Sequence, residues 1–125
     1  MEMKMFVVIL EVYPTESGKD EYLSIATSLR EFLKDRPGFI SIERFQSITD
    51  QNKILSLSFW ESEEAIEEWR NLLEHRIAQR KGKSELFTKY RIRVANVLRN
   101  YTESERAHAP SDSNAELADC HPKDA

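Results

Sequence analysis

The sequence predicts a small α+β domain with the element order β-α-β-β-α-β, and three observations carry that prediction. Four apolar stretches with strand periodicity lie at 5–13, 39–47, 53–60 and 90–101. Two stripes with helical periodicity lie between them, at 22–33 and 65–73. Chain breakers separate them: Pro14, Pro37-Gly38 and the run Thr49-Asp50-Gln51-Asn52. A chain of 125 residues supports one such core and not two.

Met5 to Tyr13 reads as the first strand. Phe6, Val8, Leu10 and Val12 face one side, and Val7, Ile9, Glu11 and Tyr13 the other. Both faces are largely apolar, as expected of a central strand covered on both sides. Pro14 ends it, because proline cannot donate to a ladder. Ser17 is the expected N-cap of the first helix, with Asp20 and Glu21 in its first turn where the helix dipole favours acids. Tyr22, Ile25, Ala26, Leu29, Phe32 and Leu33 form its apolar stripe, and Pro37-Gly38 stops it.

Phe39–Ser47 and Lys53–Trp60 read as a hairpin around Thr49–Asn52. In the second of these strands Leu55, Leu57 and Phe59 share a face; Ile54, Ser56, Ser58 and Trp60 share the other. Ser62 caps the next helix, whose buried stripe is Ala65, Ile66, Trp69, Leu72 and Leu73. The helical pattern weakens near Asn71 and resumes from Glu74 to Lys81. Gly82 breaks it, and Ser84–Thr88 is expected as a last turn. Tyr90–Tyr101 is expected as a long closing strand, with Ile92, Val94 and Leu98 on one side and Ala95, Val97 and Tyr101 on the other.

This order is the ferredoxin-like arrangement: a four-stranded antiparallel sheet with both helices on one face. The domain is expected over residues 1–102. Residues 103–125 hold one leucine and no aromatic, and are expected to be a disordered acidic tail. That tail carries six acids against two bases, a net of −4; the whole chain is also −4, so residues 1–102 are neutral. Neither part has the net basic charge of a nucleic-acid binder, and Glu85 interrupts the local patch of Lys81, Lys83, Lys89, Arg91 and Arg93. No apolar run is long enough to span a membrane. The N-terminus lacks signal-peptide features, and a single cysteine, Cys120, forms no internal disulfide, so a cytoplasmic setting is expected. Two helices cover one sheet face only. Val7, Ile9, Ile54, Trp60, Ala95 and Val97 suggest a second apolar face, best covered by another copy of the chain in a face-to-face homodimer.

Several stretches together carry a family resemblance. They are Pro37-Gly38-Phe39, the hairpin ending Phe59-Trp60-Glu61-Ser62, the helix from Glu64-Ala65-Ile66 through Trp69, then His75, Gln79-Arg80 and a strand opening on Tyr90-Arg91. The pattern resembles the antibiotic biosynthesis monooxygenase family over about residues 4–101, and looks closest to its haem-degrading monooxygenase-like branch. The resemblance implies a dimeric α+β barrel with a pocket between each sheet and its helices. It also implies oxidation of quinone precursors or haem by dioxygen with no flavin or metal of the enzyme's own. Haem-degrading members use a first-strand asparagine, a helix tryptophan and a histidine that ligates the iron. Trp69 stands at the tryptophan position, Gln79 at the best match to the histidine, and His75 one turn earlier; Phe6–Val12 contains no asparagine.

His75, the one histidine outside the tail, is a candidate base or haem ligand, or else a structural group bonded to a carbonyl. Trp69 is a candidate catalytic residue whose spacing also fits the buried stripe. Trp60, Phe59, Arg91 and Gln79 are candidate substrate contacts, with the dimer interface the favoured place for Trp60, and Arg91 suited to an anionic group or an ion pair. Glu63, Glu64, Glu67 and Glu68 read as a solvated helix face, and no metal site is expected. The functional expectation is a cofactor-independent monooxygenase acting on a small aromatic or quinone-like molecule. A haem-binding or haem-degrading enzyme and a non-catalytic dimeric ligand-binding module are the alternatives.

Overall fold

The computed structural model describes residues 4–80 and 86–120. Its order is β1 (Phe6–Pro14), α1 (Lys19–Leu33), β2 (Phe39–Gln46), β3 (Ile54–Trp60), α2 (Glu63–Arg80), β4 (Phe87–Asn96) and α3 (Ser111–Cys120). The sheet is four-stranded in the order β2-β3-β1-β4, and every pairing is antiparallel. The expected ferredoxin-like βαββαβ fold is therefore present, with α1 and α2 over one face.

Local chemistry differs from expectation at several boundaries. Gly18, not Ser17, caps α1, and no side chain caps it. The turn before it is tied by Thr15, whose hydroxyl accepts the Gly18 N–H at 2.9 Å. Helix α2 runs unbroken for 18 residues through Asn71, because its tertiary packing outweighs the local loss of apolar pattern. Its Ser62 cap is present, with the hydroxyl accepting the Ala65 N–H at 3.3 Å. Strand β4 begins three residues earlier than expected and ends five earlier, so Phe87 and Thr88 lie in the strand, not a turn. The expected break at Gly82 and the lysines Lys81 and Lys83, with Glu85, lie outside the described residues. Gly38 adopts φ 87°, and a Cβ there would come within 2.9 Å of the Ser62 hydroxyl. Glycine is thus required where the turn after α1 passes under the start of α2.

The tail also differs. Helix α3 lies within it, and the segment before α3 is held by its own side chains. Arg106 donates to the Thr102 carbonyl at 3.0 Å, to Asn114 Oδ1 at 2.9 Å and to Ser113 Oγ at 2.8 Å. Polar bonds over short spans order a segment that has too little apolar surface for a core of its own.

The register decides which face of each strand meets the helices. Phe6, Val8, Leu10 and Val12 stand opposite Trp60, Ser58, Ser56 and Ile54. These are the helix-facing residues, and Val8, Leu10, Val12, Ile54, Ser56, Ser58 and Trp60 are all buried. Ile54 and Trp60 therefore belong to the helix-covered core and not to the second face. The cause is volume: Ser56 and Ser58 leave room for Trp60, and Ser58 Oγ accepts the indole N–H at 2.8 Å. Leu55, Leu57 and Phe59 are correspondingly placed on the helix-free face with Val7 and Ile9, each of them partly exposed. Phe45 and Ala95 pair into the same face.

One charged cluster sits at the margin of that apolar face. Glu11 bonds Lys53 at 2.8 Å and Arg93 at 2.5 Å. The Lys53 contact first, then Arg93, lowers the Glu11 carboxyl from 4.5 to about 2. A carboxylate whose pKa is depressed on folding contributes stability that is complete above its unfolded pKa and lost as pH falls through the folded one. Between pH 4.5 and about 2 the native chain should therefore lose stability more steeply than Glu11→Gln. Denaturant midpoints measured across that window test this; parallel acid limbs for the two proteins would contradict it.

Candidate functional site

Helix α2 presents three faces, because successive residues turn by about 100°. Ile66, Trp69 and Leu73 point into the core and are buried. His75 and Gln79, one turn apart, share an exposed outer face. Between these two faces lie Glu74, Ile77 and Ala78, at the i, i+3, i+4 spacing that sets side chains side by side.

That third face overlooks the start of β4 across a cleft of about 560 Å³. Glu74, Ile77 and Ala78 form one wall, and Leu86, Phe87, Thr88, Lys89 and Tyr90 the other. The β4 wall is anchored from behind. The Leu86 carbonyl accepts the Thr15 N–H at 2.9 Å. The Phe87 ring packs edge-on against buried Tyr22, with centroids 6.0 Å apart, and against Tyr90 at 5.4 Å. Burial raises the Tyr22 hydroxyl pKa, opposed by the Arg44 guanidinium beside it. Tyr22 is thus a neutral, fixed support behind Phe87.

Among the described residues of the cleft, four carry polar side chains: Glu74, Thr88, Lys89 and Tyr90. Thr88 donates its hydroxyl to the Tyr13 carbonyl at 3.3 Å. Lys89 extends to the other sheet face, its ammonium 4.5 Å from the centre of the Tyr13 ring. Glu74 is held by Arg70 of the preceding turn, at 2.7 Å through Oε1. Tyr90 is 47% exposed, and among the described residues its hydroxyl makes no hydrogen bond. An apolar aromatic wall with a small number of polar groups is the usual character of a small-molecule site.

The six residues singled out from sequence are not brought together. Trp69 is 2% exposed and packs on Trp60 at 5.9 Å, in the core. Trp60 is fully buried and touches a second cavity, of about 360 Å³, at the opposite end of the molecule beside the Arg36–Glu68 ion pair. Phe59 and Arg91 lie on the helix-free face, Arg91 opposite Glu11. His75 and Gln79 face outward and line none of these cavities. The cleft residues Glu74, Ile77, Phe87 and Tyr90 were not selected from sequence. Their signal was present in the i, i+3, i+4 spacing of Glu74, Ile77 and Ala78, but only the position of β4 shows what that face meets.

Comparison with known proteins agrees with this frame. Residues 5–81 match the antibiotic biosynthesis monooxygenase family. The chain is 41% identical over 101 residues to the jasmonate monooxygenase ABM of Pyricularia oryzae; the match covers 81% of this chain and 47% of that protein. The chain thus spans about half the length of that relative. It is 33% identical over 98 residues to YqjZ of Bacillus subtilis, covering 78% of this chain and 83% of that one. Among solved structures, Rv0793 of Mycobacterium tuberculosis superposes with a TM-score of 0.65 at 16% identity, covering 78% of this chain and 99% of that one. A protein of Nitrosomonas europaea gives 0.64 at 10% identity, covering 78% and 94%. These two likenesses establish the fold. The sequence matches are to the family as a whole and do not single out its haem-degrading branch. With most of residues 5–81 forming the β1–α2 core that carries one wall of the cleft, this chain belongs to the antibiotic biosynthesis monooxygenase family.

Proposed function

We propose that the chain is a monooxygenase of this family, working as a homodimer in a cytoplasmic setting. Its reaction is the oxidation of a small aromatic or quinone-like molecule by dioxygen in the cleft between α2 and β4. The observation that carries this reading is the cleft itself: a space of about 560 Å³ with Phe87 and Tyr90 on one wall and Ile77 and Ala78 on the other, in a chain of that family. Such walls give a flat ring two apolar surfaces to lie between and so restrict its orientation. Electron balance favours a conjugated substrate. When an activated ring methylene becomes a ketone, one atom of dioxygen enters as the ketone oxygen. The other leaves as water with the two methylene hydrogens, so the substrate supplies all four electrons. Hydroxylation of a saturated carbon needs two further electrons from a donor such as a dihydronicotinamide.

A second reading rests on the 41% identity to the jasmonate monooxygenase: the substrate is a cyclic keto acid of the jasmonate type. The outward position of His75 favours either small molecule over haem ligated by that residue. Oxygen uptake by the purified chain tests the reading, with an anthrone alone, a naphthohydroquinone alone, and jasmonic acid together with a dihydronicotinamide as electron donor. We expect uptake with the anthrone above its spontaneous rate and a keto product identified by mass. Uptake no faster than the protein-free rate with all three would contradict catalysis and favour a binding module.

The dimer is proposed from the helix-free face. Val7, Ile9, Leu55, Leu57 and Phe59, each partly exposed and adjacent in register, form its centre, and a contiguous apolar patch on a sheet face is the usual mark of an interaction surface. Light scattering at micromolar concentration should give about twice the 14.6 kDa chain mass. Leu57→Asp should give monomer or unfolded chain, because its cross-strand neighbours on that face are Ile9 and Glu43 and offer the new charge no partner. A folded monomer from the unaltered chain would contradict this assembly.

A further inference from the structure

We infer that Glu74 makes the cleft selective for ring hydroxyls over carboxylates, which rests on the cleft being the ligand site. Three observations carry this. Glu74 is the one carboxylate among the described residues of the cleft lining, and it belongs to the same α2 face as Ile77 and Ala78. Its ion pair with Arg70 uses Oε1 at 2.7 Å. Oε2 makes no hydrogen bond among the described residues, so it keeps its acceptor capacity, and the Arg70 contact restricts the swing of the side chain. Among the described residues the nearby cations are directed elsewhere: the Arg70 guanidinium is engaged by Glu74 itself, and the Lys89 ammonium lies over Tyr13, on the other face of the sheet.

The consequence follows from donor and acceptor chemistry. An ionised carboxylate only accepts hydrogen bonds. A phenolic or enolic O–H lying on Phe87 and Tyr90 donates to it, in a charge-assisted bond stronger than a neutral one. A ligand carboxylate in the same place brings two acceptors together with like charges and no proton between them. Tyr90 adds a hydroxyl across the cleft that can donate to a ring ketone. The preferred ligand is therefore a flat ring bearing a hydroxyl, and the ring acids are the poorer ones. Sequence periodicity alone assigns Glu74 no role; its neighbours on the β4 side give it this one.

Two probes with the same ring isolate the effect: 2-naphthol, neutral at neutral pH, and 2-naphthoate, an anion there. Equilibrium dialysis with fluorescence readout gives both affinities. For the unaltered chain we expect 2-naphthol to bind at least about tenfold more tightly, the scale of one hydrogen bond to a charged group. Glu74→Gln keeps the size and one acceptor but loses the charge, and should narrow the preference to within about threefold; Glu74→Lys should reverse it. Equal affinities for the two probes in the unaltered chain, or a preference that Glu74→Gln leaves unchanged, would overturn the selectivity and leave the cleft as the ligand site. Ala78→Trp, or Ala78→Phe if the first does not fold, fills the cleft. Probe binding that survives it, or no binding of either probe to the unaltered chain, would overturn the site and the selectivity together.

Discussion

The seat of Trp60 governs the arrangement of the molecule. The indole occupies the helix-facing side of β3, over a strand whose neighbours on that side are the two serines 56 and 58. Small side chains there let α2 approach, so Trp69 meets Trp60 at 5.9 Å, and Phe39 closes the other side at 5.2 Å. Aromatic contacts of this kind add to their large area of burial. They fix α2 above β3. The strand at the far edge, β4, is then left partly open on the helix side, where Tyr90 and Val94 remain 47% and 49% exposed. The cleft is the space between the end of α2 and this uncovered strand.

The same seat determines the other face of the sheet. With Trp60, Ser58, Ser56 and Ile54 turned to the helices, strand alternation turns Leu55, Leu57 and Phe59 away from them. Three large apolar side chains of a central strand join Val7 and Ile9 of its neighbour. The Glu11, Lys53 and Arg93 cluster stands at the margin of this area, one carboxylate bridging two cations. An apolar centre with a polar, ion-paired edge matches the anatomy of an interface between subunits. One packing decision in β3 thus produces both the ligand cleft and the surface proposed for the second copy.

Much of the fold was legible in the sequence. Alternation in Met5–Tyr13, the stripe of Tyr22, Ile25, Leu29 and Leu33, and the breakers at Pro14 and Pro37-Gly38 locate β1, α1 and the turns within a residue or two. The phase of β3 was not legible. Leu, Leu and Phe on one side against Ile, Ser, Ser and Trp on the other carries no local signal for which side meets the helices; only the fit of Trp60 between serines decides it. The candidate site was less legible still. Tryptophan and histidine attract attention as chemical groups, yet Trp69 is core and His75 is turned to solvent by its angular position on α2. A cleft formed by an acidic residue, an isoleucine and an alanine facing Phe87 and Tyr90 depends on tertiary placement, and those residue types are common on any helix or strand.

The central claim is that ligands occupy the space between α2 and β4 and not the outer face carrying His75. Amide chemical-shift mapping of the isotopically labelled chain titrated with 2-naphthol tests it most directly. The account predicts saturable shifts concentrated at Glu74, Ile77, Ala78, Phe87 and Tyr90, with His75 and Gln79 following only as far as their helix moves. Shifts centred on His75 and Gln79, or on the Trp60 cavity at the opposite end, with the β4 residues unmoved, would contradict it.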